Sequence, residues 1–149
     1  MSLSPPPDWF FFLPLLWIGG WITASVVYRR NAGKPIIPRQ PDRARYKEGQ
    51  ASGWNDGSWV GRLGGANRCL MVSVTDRELV VTPFFPFNLM FLPEIYGLEF
   101  RVPLTSIRQV EDRRSFFRAA VVVHLPDGKR FGLFLRDSDA FRQALRQTG

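Results

Sequence analysis

Two kinds of hydrophobic pattern divide the chain. Residues 9–28 (WFFFLPLLWIGGWITASVVY) form a run of twenty without a single charge. At 1.5 Å per helical residue such a run spans about 30 Å, the thickness of a bilayer's hydrocarbon core. From residue 52 onward the apolar runs shorten to strand length and turn residues separate them. Residues 69–74 (CLMVSV) and 79–82 (LVVT) flank Thr75-Asp76-Arg77-Glu78, which predicts a hairpin. Residues 98–103 and 106–112 each predict a further strand. Residues 121–125 (VVVHL) and 130–135 (RFGLFL) enclose Asp127-Gly128, a turn that predicts a second hairpin. At the end the period changes. Phe141, Ala144 and Leu145 stand at i, i+3 and i+4 behind Asp137 or Ser138 as cap, which predicts one amphipathic helix.

The pattern therefore predicts a mainly β fold class: a single transmembrane helix (9–28) behind a short tail, a linker over 29–51, and a β domain over 52–149. Several antiparallel strands followed by one helix predict a strongly bent sheet or partly open barrel whose end the helix covers. Pro35, Pro38 and Pro41, with Gly33 and Gly49, speak against regular structure in the linker.

A cleaved signal peptide is the rival reading of residues 9–28. It needs a positive leading region and a small-x-small cleavage site, whereas the only charged side chain ahead of the run is Asp8 and Thr23-Ala24-Ser25 is a poor site. The anchor reading is preferred. Residues 29–48 carry seven Lys or Arg against Asp42 and Glu48. Basic residues beside a spanning helix resist translocation, which places the β domain in the cytoplasm and the N-terminus outside, in a bacterial inner membrane.

Composition narrows the chemistry. One cysteine, Cys69, allows no disulfide within the chain, and with one histidine, His124, neither a zinc site nor a catalytic Cys/His pair is expected. Gly61-Arg62-Leu63-Gly64-Gly65 lacks the spacing of a phosphate loop and reads as a glycine-rich turn. Glu111-Asp112, followed by Arg113-Arg114, reads as a charged turn, and His124 as a strand residue among valines. No catalytic, cofactor or metal site is expected. The net charge of +7 is concentrated beside the helix, which fits a lipid surface better than a nucleic-acid groove. Arg29, Arg30 and Lys34, with Arg62 and Arg68 of the domain, are the candidate contacts to anionic lipid.

Residues 83–98 (PFFPFNLMFLPEIYGL) break the strand pattern with three prolines and hold four phenylalanines. Two readings stand. Phe84, Phe85, Phe87 and Phe91 either fold back into the core or form an exposed contact for a partner or a membrane.

The runs LMVSVTDRELVV, RVPLTSIRQVE and VVVHLPDGKRFGLFL, followed by the D-x-F-x-x-A-L of residues 139–145, resemble the bacterial pleckstrin-homology-like and GRAM-like domains. Ser52-Gly53-Trp54 is similar to an S-G-W motif of bacterial membrane proteins carrying such a domain. The resemblance covers residues 52–147. It implies a bent β-sandwich or partly open barrel with a C-terminal helix, and binding of phospholipid headgroups or peptides. Lipid-binding members carry a basic cluster in the first loop, where this chain has only Arg62 and Arg68. The expectation is a non-catalytic, membrane-tethered binding module: a scaffold or accessory protein of a membrane complex, or alternatively a sensor of anionic lipid. Membrane lipids and a membrane protein are the expected partners. The oligomeric state is left open.

Overall fold

The computed structural model describes residues 7–57, 65–90, 97–115 and 118–146. The chain divides into two compact units, residues 1–36 and 37–149.

The first unit is a helix. After a 3-10 turn at Asp8–Phe11, α1 runs over Phe12–Asn31. Leu13, Leu15, Leu16, Trp17, Ile18 and Val27 are all exposed, so the helix is apolar on every side, as a membrane span requires. By length and composition it is the one helix among the described residues able to cross a membrane. The Thr23 hydroxyl donates to the Gly19 carbonyl at 2.8 Å, and Trp17 stacks on Trp21 one turn along. The apolar run ends at Tyr28, but the helix continues to carry Arg29 and Arg30 in its last turn, where cations meet the negative end of the dipole. Gly33 then stops it. Its φ of +66° lets the Lys34 N–H reach the Arg29 carbonyl and the Gly33 N–H reach the Arg30 carbonyl, the paired bonds of a Schellman motif.

The second unit is a seven-stranded antiparallel sheet with one C-terminal helix. Its strands are β1 (Tyr46–Asn55), β2 (Ala66–Val74), β3 (Glu78–Pro83), β4 (Phe100–Pro103), β5 (Gln109–Ser115), β6 (Arg118–His124) and β7 (Arg130–Phe134). A one-turn helix α2 (Phe87–Met90) follows β3, and α3 (Ser138–Arg146) closes the chain. The order across the sheet is β4-β3-β2-β1-β7-β6-β5, a four-strand meander and a three-strand meander joined where β1 pairs with β7. Both expected hairpins are present, as β2–β3 and β6–β7.

β1 is the departure from expectation. Residues 46–51, expected to belong to the linker, pair with β2. Register shifts between Glu48 and Ala51, and again between Ala51 and Gly53, interrupt the alternation, so the strand bends and its sequence loses the period of two. The stretch leading into β1 is also tied to the sheet. Gln40 Nε2 donates to the Glu48 carbonyl, Lys47 Nζ to the Asp42 carbonyl and the Arg45 N–H to the Val74 carbonyl.

The sheet is open but strongly bent. Laid flat, β4 and β7 would lie about 19 Å apart, four strand spacings. Instead Phe100 of β4 stacks on Phe131 of β7 with ring centroids 3.9 Å apart. The core fills the bend: Leu70, Val72 and Val74 of β2, Leu79 and Val81 of β3, Val121 and Val123 of β6, and Leu133 of β7. The helix α3 covers one end with Phe141 and Ala144, and the Phe141 ring meets Tyr46 edge to face. Asp137 is the cap of α3, its Oδ1 accepting from the Ala140 N–H at 2.8 Å.

Candidate functional site

The Phe-rich segment is divided by the fold. Pro83 ends β3, and the Phe84 N–H still donates to the Cys69 carbonyl, which holds the segment beside β2. Phe84 and Phe87 pack against the core and meet edge to face, centroids 5.1 Å apart. The turn between them, which contains a cis Phe85–Pro86 peptide, lifts Phe85 out to 51% exposure, and Met90 at the end of α2 is 44% exposed. Asn88 and Leu89 are buried beneath. Of the four phenylalanines, for which core and contact surface both stood open, Phe84 and Phe87 are half-buried against the core and Phe85 is surface. Phe91 lies outside the described residues. The tip is thus an apolar pair, Phe85 and Met90, on a base that core packing keeps in place. Met90 carries no sequence signal as a site residue; its N–H donates to the Pro86 carbonyl at 3.3 Å, one turn from Phe85.

The register also locates this tip. Tyr46, where the linker becomes β1, pairs with Val74 next to the β2–β3 turn, while Pro83 pairs with Leu70, four residues back along β2. The tip therefore lies toward the opposite end of β2 from the entry of the linker.

A second feature lies on the β1–β7 surface. A groove of about 350 Å³ is lined by Glu48, Gln50, Ser52, Arg68, Phe134 and Arg136, among others. Arg68 is placed by local backbone chemistry. Its φ is +53°, unusual for a residue with a Cβ, and its N–H donates to the buried Ser52 hydroxyl at 2.9 Å. Ser52 in turn donates to Asn67 Oδ1 at 3.2 Å. Arg136 is placed by Glu48, whose two carboxylate oxygens each accept from the Arg136 backbone N–H at 3.1 Å. The same carboxylate accepts from the Tyr46 hydroxyl. Burial, followed by the hydrogen bond to Glu48, pushes the Tyr46 phenol far up. The groove is lined by two arginines and the Glu48 carboxylate, and the Arg136 guanidinium donates to Gln50 Oε1 at 3.5 Å. Arg136 has no sequence signature as a site residue, and only the register of Ser52 opposite Phe134 brings it near Arg68.

Arg30 and Lys34 lie at the end of α1 and just beyond it, whereas Arg29, expected as a lipid contact, is buried, its Nε donating to the Pro35 carbonyl at 3.1 Å. Arg62, like most of the glycine-rich turn at 61–65, lies outside the described residues. Ser52-Gly53-Trp54 is explained by packing: a β-carbon on Gly53 would stand 2.9 Å from the Gly132 carbonyl oxygen, and Trp54 lies on Gly132 and against Phe134. Glu111 and Asp112 lie on β5 rather than in a turn, because β5 extends to Ser115. His124 Nε2 is 3.3 Å from Glu111 Oε2 across the β5–β6 pair. Cys69 is buried, and burial pushes its thiol up. Among the described residues no three His, Cys, Asp or Glu side chains gather as metal ligands do.

No known family model matches the chain, and no curated protein matches it.

Proposed function

We propose that this chain is a membrane-anchored, non-catalytic binding module that serves as a scaffold or accessory protein of a membrane complex. The anchor is α1, with the N-terminus outside and the β domain in the cytoplasm of a bacterial inner membrane. The domain is read as pleckstrin-homology-like. Four strands plus three in one bent sheet, with a C-terminal helix over the open end, support that reading. The basic residues 29–48 support the orientation.

The observation that carries the proposal is the apolar tip. Phe85 and Met90 are exposed while Phe84 and Phe87 beside them are held by the core. Exposing two large apolar groups on a fixed base costs solvation, which a partner's apolar surface would recover. The test is extraction of the full chain in mild detergent. Wild-type protein should migrate with a stoichiometric companion that Phe85→Ser releases while the domain stays folded. A companion retained by Phe85→Ser would defeat the assignment of the tip. A phosphatase fused after Gly149 should be inactive if the domain is cytoplasmic.

The groove favours a second reading, contact with anionic lipid, because Arg68 and Arg136 share it. On that reading vesicles containing phosphatidylglycerol bind the soluble domain at low salt and release it at high salt, and Arg68→Gln weakens the binding.

A further inference from the structure

The two edges of the sheet differ. β4 has four residues and ends in Pro103, whose missing N–H blunts it. β5 has seven residues and no proline, and on one side it pairs with β6 through its whole length. Among the described residues no strand pairs with its other side, so every second residue directs its backbone N–H and C=O outward. Glu111, Asp112, Arg113 and Arg114 are all exposed. Exposed charges are a common protection of native sheet edges against a second copy. The block Glu-Asp-Arg-Arg does the reverse, because run antiparallel to itself it sets acids against bases.

We infer that β5 is a homodimer edge, on which the β5 strand of a second copy adds antiparallel to make one continuous sheet. Two-fold symmetry normal to a sheet keeps residues on their own face, so only residues of equal parity can stand opposite one another. With Asp112 on the axis, Glu111 of each copy faces Arg113 of the other, and Val110 faces the stem of Arg114. The two Asp112 carboxylates then meet at the axis, and each is already bonded to Arg142 of its own α3. Glu111 is also oriented. Gln109 Nε2 donates to its Oε1 at 2.7 Å, and His124 lies beside its Oε2. Placing Arg113 on the axis instead would bring two guanidinium groups together. The interface is a row of backbone hydrogen bonds with two cross-strand ion pairs. Anchoring in one membrane raises the effective concentration of the copies. The inference is independent of what binds the Phe85–Met90 tip.

The test is sedimentation of the full chain in detergent micelles over a range of concentration. The wild type should be a dimer. Glu111→Arg and Arg113→Glu, each of which creates two like-charge contacts, should weaken it about tenfold or more. The double variant E111R/R113E should recover the homodimer, and an equimolar mixture of the two single variants should recover a heterodimer. Unchanged thermal unfolding of the single variants separates loss of pairing from loss of fold. A monomeric wild type, a dimer indifferent to Arg113→Glu, or a weakened dimer that the double variant does not restore would each overturn the inference.

Discussion

The indole of Trp54 lies so close over Gly132 that a β-carbon at 132 would fall 2.1 Å from its ring. The contact crosses the junction where β1 pairs with β7, and Phe134 backs the same ring with centroids 5.1 Å apart. Gly132→Ala must therefore displace the indole, at a cost of about 1–3 kcal/mol as for other overpacked sites. In a Trp54→Ala background the same change should cost far less, since its obstacle is gone. Thermal unfolding of the two single variants and the double variant measures the coupling. Additive losses would show that the glycine is required for another reason.

Ser52 and Arg68 make the second testable pair. Ser52→Ala leaves the Arg68 N–H without the acceptor that now lies at 2.9 Å, a loss of about 1 kcal/mol for a part-buried hydrogen bond. Arg68→Gly acts in the other direction: at a φ of +53° glycine relieves about 1 kcal/mol of strain. If the groove holds anionic lipid, Arg68→Gly should raise the unfolding temperature and lower vesicle binding together. Equal binding by wild type and variant would remove Arg68 from the lipid reading.

The sequence displayed the parts of this fold that follow a period. β2, β3, β6 and β7 alternate or run apolar around recognisable turns, and α3 places Phe141 and Ala144 three apart behind the Asp137 cap. It concealed β1, because Gly49 and Gly53 and two register shifts erase the alternation in a strand that both meanders share. The candidate site was visible in composition but not in detail. An aromatic run states that apolar surface exists, whereas the division between Phe84 and Phe85 depends on how the chain turns after Pro83. Arg136 could be joined to Arg68 only through pairing of residues far apart in sequence.

Asn55 holds two loop ends with one side chain. Its Nδ2 donates to the Gly97 carbonyl at 3.0 Å, and its Oδ1 accepts from the Gly57 N–H at 2.7 Å. Asn55→Ala, at a buried position, should cost about 2–3 kcal/mol, since two bonds go and one N–H is left without its acceptor. Amide exchange should quicken at Gly57 well before the core strands are affected. Uniform acceleration over the whole sheet would mean that Asn55 supports global stability rather than these two loops.

The division of the Phe-rich segment predicts unlike costs for neighbouring residues. Phe84→Ala removes a ring packed on both Phe87 and the core and should cost about 2–3 kcal/mol, less than a fully buried phenylalanine because the ring is only half-buried. Phe85→Ser removes a ring that is 51% exposed and should change stability by about 0.5 kcal/mol or less. Chemical denaturation of residues 37–149 compares them. Equal losses would place Phe85 in the core and remove the apolar tip.

Tyr46 provides a test in pH. Its phenol is pushed above the ordinary value of 10.0, first by burial and then by the hydrogen bond to Glu48. The folded state therefore keeps the proton after the unfolded chain has begun to lose it. Below pH 10 both states are protonated and the full contribution of the buried neutral phenol is present. As pH rises past 10 the unfolded state is stabilised by ionisation and the domain weakens. Tyr46→Phe should be the less stable protein at pH 7, having lost the bond to Glu48, and its deficit should shrink as pH rises from 9 toward 11. Urea unfolding of both proteins at a series of pH values measures the difference. A deficit that stays constant over that range would show that Tyr46 ionises as readily in the folded domain as in the unfolded chain.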